Sequence, residues 1–372
     1  MIKYNLKCEN DHEFESWFSN SKEYDKLNKK LYLARDSFGI KPLYFSEIKN
    51  GIVFSSEIKG LIDNVPNSRK IDRLGLACTC LLGVNVLRQT LFNGIYKILP
   101  GETIIYDLSR KKIKSSFRNL VKPNSNNNFI SEEFYEKLTL AVNNSAIGIR
   151  DFGMFLSGGL DSSIIAQCLK RKLGSLNTFT TVVEPNIINK EDYNSDAKVA
   201  EKFANEINLN HTEVKITPKT FLENWNKSIK YIEEPRYNWN LPMYYLTNKV
   251  LSKHNTVVTF AGDIGDEIFG GYSKYLIMHN LIEKPKNWSD FIKVWMRKFS
   301  APVLLNMKFN FEDLHSVLLQ TLPEEIWNPE DIANSAMALD CITTVSEDFF
   351  SRNDRFGMAF SMEGRFPLSS KN

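Results

Sequence analysis

Residues 152–163 read Phe-Gly-Met-Phe-Leu-Ser-Gly-Gly-Leu-Asp-Ser-Ser. FGMFL (152–156) is a continuous apolar run of strand length, and helical spacing follows from Ser162 to about Lys172. SGGLDSS therefore joins a buried strand to a helix. Two glycines let the backbone approach a ligand closely, and the serines offer hydroxyl donors. The helix behind them presents free N–H groups and its positive dipole end. That combination is a cradle for phosphate. No Gly-Lys-Ser/Thr is present, so this is not a Walker A loop and no lysine is aimed at the β/γ bridge. A cradle that grips pyrophosphate as the leaving part suits attack at the α-phosphorus.

Working outward, NTFTTVV (177–183), HTEVKI (211–216) and NTVVTFA (255–261) read as further buried strands. Helical stripes separate them: Val199, Phe203 and Ile207, then Phe221, Trp225 and Ile229. Upstream, Ser131 is expected to cap a helix with Phe134, Leu138 and Val142 on one face. Strands alternating with helices predict an α/β fold with a parallel sheet covered on both faces. Residues 272–372 read as mostly helical.

A second loop, AGDIGDEIFGGY (261–272), also follows a buried strand. In an open parallel sheet ligands sit at the carboxyl ends of the strands, so both loops should face one crevice. Asp161 and Asp266 then form a pair of hard oxygen ligands for Mg²⁺ bridging nucleotide phosphates. Glu233-Glu234-Pro235 has two readings, as a lining of the crevice or as an acid pair at a helix start.

Residues 31–117 carry a different pattern. LYLA, PLYF, GIVFSS and KILPGETIIYDL are short β-rich runs broken by turn signals, Lys49-Asn50-Gly51 and Pro100-Gly101 among them. KPNSNNN (122–128) has nothing to build a core and reads as a linker. The 372 residues carry a net charge of only +3, no footprint for nucleic acid. Five scattered cysteines (Cys8, Cys78, Cys80, Cys168, Cys341) are too sparse for a disulfide framework. With no signal-peptide core and no membrane-length apolar run, a cytoplasmic location is expected.

These motifs together resemble the glutamine-dependent asparagine synthetase family, from about Leu31 to Pro367. SGGLDSS resembles its pyrophosphate loop and AGDIGDEIFGGY its second nucleotide loop. RDSFGIKPLYF (35–45) and FSSEIKGL (54–61) resemble the end of its glutaminase domain. Asp354-Arg355 and Met362-Glu363-Gly364-Arg365-Phe366-Pro367 resemble a helical motif lining the synthetase site. The resemblance implies a parallel sheet of the adenine-nucleotide alpha-hydrolase (PP-loop, Rossmann-like) type, behind a partial β-rich glutaminase (Ntn-type) remnant. The expected organisation is a foreign segment 1–27, the remnant 28–117, a linker 118–130 and an ATP-binding domain 131–372.

The implied reaction turns aspartate, ATP and ammonia into asparagine, AMP and pyrophosphate through an acyl-adenylate. By resemblance, Leu156, Thr181, Ala261 and Gly262 contact the adenosine. Ser157, Gly158, Gly159, Asp161, Ser162 and Ser163 form the pyrophosphate loop. Asp161 and Asp266 bind Mg²⁺, and Asp263 and Glu363 stand as the catalytic acids. The implied partners are small molecules, with a homodimer or a separate ammonia-supplying protein beside them. Two other readings share these loops: an amidotransferase acting on another carboxylate, and a non-catalytic ATP-binding remnant.

Several positions depart from the family pattern. The chain opens Met1-Ile2-Lys3, without the family's cysteine at residue one, so glutamine hydrolysis is expected to be absent. It stops at Asn372, before a lysine that neutralises the reacting phosphate; loss of such a group costs roughly 3–4 kcal/mol of barrier. Ala261 replaces the usual serine. Ile264 stands where glycine is usual, which means strain if that position needs positive φ. The first 27 residues resemble instead the zinc-ribbon-like opening of a small bacterial family of unknown function. Cys8 and His12 alone cannot complete a tetrahedral zinc site. A remnant of this kind is expected to be loosely held, with Leu31, Leu33, Leu43, Phe45, Val53 and Phe54 short of cover and the half prone to self-association.

Overall fold

In the β-rich part, alternating apolar residues and tight turns set the strands. Here and below, the computed structural model describes residues 22–118, 120, 130–148, 151–184, 194–297 and 311–370. The expectations for Cys8, His12 and most of the linker lie outside the described residues. Strands β1 (Lys22–Asp25), β2 (Lys30–Ala34), β3 (Tyr44–Ile48) and β4 (Gly51–Ser55) precede helix α1 (Arg73–Leu82). Strands β5 (Tyr96–Lys97), β6 (Glu102–Asp107) and β7 (Lys112–Arg118) follow it. They form two antiparallel sheets, β1-β2-β6-β7 and β4-β3-β5. β1 pairs with β2 through Lys22↔Leu33, so the boundary read at residue 27 falls inside this hairpin.

This half has its cover. Leu33, Leu43, Phe45, Ile98 and Ile104 form a buried cluster, with Leu31 and Phe54 against it. Val53 packs on a second cluster of Tyr44, Ile58, Leu61, Val65 and Ile95. The expectation of uncovered strands is corrected. The cover comes from residues 58–65 and 95–104 of the same chain, the β-rich run at 97–108 supplying Ile98 and Ile104.

The second part runs α2 (Ser131–Ser145), β8 (Phe152–Phe155), α3 (Leu160–Leu173), β9 (Asn177–Val183), α4 (Ser195–Glu206), β10 (Asn210–Ile216), α5 (Pro218–Ile232), α6 (Leu241–Lys253) and β11 (Val258–Phe260). Helices α7 (Gly265–Phe269), α8 (Ser273–His279), α9 (Trp288–Arg297), α10 (Phe311–Thr321) and α11 (Ile332–Cys341) come next. A π-helical turn, Val345–Phe350, then leads into α12 (Ser351–Ala359) and β12 (Glu363–Arg365). The five strands are parallel in the order β10-β9-β8-β11-β12. In order of appearance this is 3-2-1-4-5, which reverses between β8 and β11. That reversal is the topological switch point where such sheets bind ligands. The sheet has the α/β architecture that the alternating strands and helices predict.

Some helix details differ from expectation. Ser131 does not cap α2; Ile130 holds the cap position, and the Ser131 hydroxyl donates to Glu132 Oε2 at 2.9 Å. On α4 the buried residues are Ala197, Ala200 and Ala204, while Val199 is exposed. The reason is steric. A Cβ on Gly158 would lie 2.7 Å from the Asp196 carbonyl oxygen and 2.8 Å from the Ala200 nitrogen, so α4 rides directly on the glycine loop. Helix α5 buries Asn224, Ser228 and Ile232 rather than the Phe221–Ile229 stripe. Its two polar residues satisfy themselves on the helix, Asn224 donating to Thr220 O and Ser228 to Trp225 O.

Candidate active site

The loops after β8 and β11, on either side of the switch point, open into one cleft of about 830 Å³. Leu156, Ser157, Gly159, Asp161, Ser162, Thr181, Ala261, Gly262, Asp263 and Asp266 all line it. Gly158 and Ser163 do not. Gly158, at φ +80°, turns the chain against α4, and Ser163 donates its backbone N–H to Gly159 O at 3.1 Å.

The loop at 157–162 is held by its own serines. Ser162 Oγ receives the Ser157 N–H at 3.3 Å, lies 3.0 Å from Ser157 Oγ and donates to Gly159 O at 3.1 Å. The Gly159 N–H donates to Ser157 Oγ at 3.3 Å. The second loop abuts the first, since a Cβ on Gly262 would meet the Ser162 nitrogen at 2.9 Å. A Cβ on Gly265 would overlap the Asp161 carboxylate. Only glycine lets Asp161 sit there.

Burial first, and the neighbouring Asp266 charge second, push the Asp161 carboxyl above its ordinary value. Burial pushes the Tyr272 hydroxyl up as well, with the Glu267 and Asp266 charges adding to it. Beyond Gly262, Asp263 accepts from Asn353 Nδ2 at 2.8 Å; burial lifts its carboxyl against the opposing pull of Arg352. Glu267 is buried, with Oε1 unpartnered among the described residues, and burial raises it to about 7. Ile264 adopts φ 76° and ψ −13° with its side chain buried, so the strain expected of a β-branched residue there is present.

Glu363 stands elsewhere. It pairs with Val258 at the start of β11, at the opposite end of the sheet from the cleft, and its exposed side chain meets Arg365 at 3.2 Å. Asp354 and Arg355 do not line the cleft either. Asp354 pairs with Lys41 at 2.5 Å, and Arg355 meets Glu233 and donates to Tyr44 Oη at 2.5 Å. The cleft wall from α12 is Arg352 and Asn353, joined by Phe349 and by Tyr244 of α6. The motif was visible, but the face that meets the cleft comes from its predecessors, about one helical step away.

Glu233 and Glu234 neither line the cleft nor start a helix. Glu233 follows α5 and accepts the Ile58 and Lys59 N–H groups, each at 2.9 Å. Glu234 accepts from the Leu91 N–H at 2.7 Å and from Asn85 Nδ2 at 3.3 Å. The pair rivets the β-rich half to the α/β half.

A switch-point cleft between two glycine-rich loops defines a ligand-binding α/β protein with a doubly wound parallel sheet. Residues 133–372 match the asparagine synthase family, and residues 22–117 match a glutamine amidotransferase domain. Residues 1–34 match a "protein of unknown function (DUF1178)" family. The chain belongs to the asparagine synthase family. A putative asparagine synthetase (glutamine-hydrolyzing) of Mycobacterium bovis is 30% identical, with 93% of this chain and 58% of that protein covered. Asparagine synthetase (glutamine-hydrolyzing) 1 of Bacillus subtilis (strain 168) is 29% identical, with 68% of this chain and 39% of that protein covered. The chain thus spans about half the length of these relatives. A solved NMN synthetase from Francisella tularensis is 16% identical, with 61% of this chain and 97% of that chain covered, at a TM-score of 0.31. The fold assignment stands on the strand order itself. Among the described residues no helix is long and apolar enough to cross a membrane.

Proposed function

We propose that this chain carries the synthetase site of an ATP-dependent amide-forming ligase. The side-chain carboxylate of aspartate, or of a closely related acid, attacks the α-phosphorus of ATP. The P–O bond to pyrophosphate breaks, leaving an acyl-adenylate, and ammonia then displaces AMP to form the amide. The observation that carries this reading is the pair of glycine loops flanking the switch point, with a serine cradle and no Walker lysine.

In this reading Ser157, Gly159 and Ser162 hold the pyrophosphate, with the N-terminus of α3 behind them. Leu156, Thr181, Ala261 and Gly262 receive the adenosine. Asp263 faces the reacting carboxyl. We assign Glu363 no role, given its place at the far end of the sheet.

Magnesium fits the residues present. Asp161 and Asp266 are close enough to raise Asp161's affinity for a proton, and no cation pairs with Asp161 among the described residues. An ion held by two carboxylates takes its other oxygens from phosphates and water. When bound, it would neutralise the phosphate charge. Asp161 and Asp266 would orient it.

Nitrogen enters as ammonia in this account. Burial pushes the Cys78 thiol up to about 12 and raises Cys341 too, the wrong direction for an activated nucleophile. An assay with MgATP, ammonia and a panel of carboxylates tests the proposal. Equimolar AMP, pyrophosphate and amide are expected, and their absence with every carboxylate would contradict it.

A further inference from the structure

The β-rich half carries two hairpin tips that line no part of the cleft. The turn between β1 and β2 reads Lys26-Leu27-Asn28-Lys29, and the turn between β6 and β7 reads Leu108-Ser109-Arg110-Lys111. They lie side by side, since the Leu108 N–H donates to the Lys29 carbonyl at 2.9 Å. The strands continue the row behind them, with Lys30 opposite both Asp25 and Asp107, and Asp107 opposite Lys112. Four neighbouring strands make this end of the sheet about 14 Å wide. The other end, at Ala34, leads into Arg35, which meets Glu347 of the α/β half. The tips therefore point away from the α/β half.

Charge is segregated there. Lys26, Lys29, Arg110 and Lys111 stand exposed on the turns, with Lys30, Lys112 and Lys114 on the strands just behind. Seven cations thus share one end of one sheet, in a chain whose net charge is only +3. The two carboxylates in the row are committed to the turns. Asp25 accepts the Asn28 N–H at 2.9 Å and Asn28 Nδ2 at 2.7 Å. Asp107 accepts the Ser109 and Arg110 N–H groups, each at 2.9 Å. Glu47, on the other antiparallel sheet, accepts the Ile113 N–H at 3.2 Å. Both turns place a lysine, Lys29 or Lys111, at a φ of 52°, the region that favours glycine. Each turn carries a cation where glycine would be the relaxed choice.

The tips are apolar as well as basic. Leu27 is 95% exposed, Tyr24 55% and Leu108 37%. A leucine flanked by cations on a projecting turn matches a bilayer surface, where the cations meet anionic headgroups and the leucine enters the boundary beneath them. A nucleic acid would use the cations alone and leave both leucines in water. We propose that the paired hairpin tips are a peripheral docking surface for a membrane rich in anionic lipid, with Leu27 and Leu108 entering the headgroup boundary. The chain lies on the bilayer without crossing it, and the α/β half stands on the water side. This does not rest on the ligase reading.

The test is flotation of the full chain with vesicles of phosphatidylcholine alone and of phosphatidylcholine mixed with phosphatidylglycerol, at low and high salt. Wild type should float with the anionic vesicles and not with the neutral ones, and added salt should weaken the binding. One cation at such a surface contributes roughly fivefold in affinity, so Lys29→Glu combined with Lys111→Glu should lose at least about 20-fold. Leu27→Ser combined with Leu108→Ser should lose about 10-fold. All four side chains are exposed, so both double variants should keep the wild-type midpoint in urea unfolding, which shows that they fold. Failure of wild type to float with anionic vesicles, or flotation that either double variant leaves unchanged, would overturn the proposal. Tighter binding to duplex DNA than to the vesicles, undiminished in the leucine variant, would assign the patch to nucleic acid and overturn it too. The ligase reading is tested separately, by its products.

Discussion

Arg35 and Glu347 meet at 2.9 Å in a buried ion pair that joins the β-rich half to the π-helical turn before α12. Lys97 adds a second cation to the same carboxylate at 3.0 Å. Arg35 spends its remaining donors on the carbonyls of Gly39, Lys41 and Ile98. The next residue, Asp348, serves the cleft side through Arg236 and Arg352. The π-helical turn, a geometry often found at functional sites, thus carries the interface carboxylate and the cleft carboxylate in adjacent positions.

Removing one partner of such a pair leaves a buried charge uncompensated. Arg35→Met should destabilise the protein by about 3–5 kcal/mol in urea unfolding. A change below about 1 kcal/mol would show the pair to be incidental.

The same carboxylate predicts an acid limit. Burial alone would raise Glu347, but Lys97 and Arg35 override it and hold it at about 2, against an ordinary value of 4.5. Its folded value lies below its unfolded one, so its contribution is complete above about pH 4.5 and is lost as pH falls toward 2. Unfolding free energy measured across that window should fall less steeply for Glu347→Gln than for wild type. Parallel curves would contradict the assignment.

Glu233 and Glu234 extend the joint, and α1 deepens it. Cys78, Leu82, Val86 and Leu87 share one apolar cluster with Trp295, Leu314 and Leu339. Hydrogen exchange should therefore find 31–57 protected to a similar degree as the strand at 152–156. Glu233→Ala should speed exchange at the Ile58 and Lys59 amides by at least about 10-fold, the scale of a lost charge-assisted hydrogen bond. Fast exchange throughout 31–57 in wild type would restore the picture of a loosely held half.

The parallel sheet and its two loops were legible because local signals agree there. Apolar runs of strand length end in glycine-rich loops, and the strand-end rule then places Asp161 and Asp266 in one crevice. What was not legible depends on contacts distant in sequence. Nothing near Glu233 tells that its partners are the Ile58 and Lys59 amides. Nothing in RDSFGIKP tells that Arg35 seeks Glu347. Nothing in the spacing of α6 shows that Tyr244 meets the cleft, and Asp354-Arg355 stand out in place of Arg352 because a helical motif does not announce which face meets the cleft. The inward alanines of α4 follow from the closeness of Gly158, which periodicity alone does not show.

Ile264 offers a test of stored strain. Its left-handed conformation costs about 1–3 kcal/mol, while its side chain packs against Cys341, Val345, Phe350 and Phe366. Ile264→Ala loses the packing and keeps the backbone strain. Ile264→Gly loses the packing and releases the strain. Glycine usually ranks about 0.5–1 kcal/mol below alanine; here it should match or exceed it in urea unfolding. A glycine variant clearly weaker than the alanine variant would remove the strain argument.

Asp161→Ala should weaken MgATP binding by at least about 10-fold, the scale of a lost charged contact, and weaken metal-free ATP much less. Equal calorimetric affinity of wild type and variant for MgATP would take Asp161 out of the site.

The central claim is attack of a substrate carboxylate on the α-phosphorus. Its most direct measurement uses aspartate labelled with ¹⁸O in the side-chain carboxyl, incubated with the protein, MgATP and ammonia, with AMP analysed by mass spectrometry. The account predicts one ¹⁸O atom transferred to each AMP, with pyrophosphate released in equal amount. ADP and inorganic phosphate as products, or AMP free of label, would contradict it.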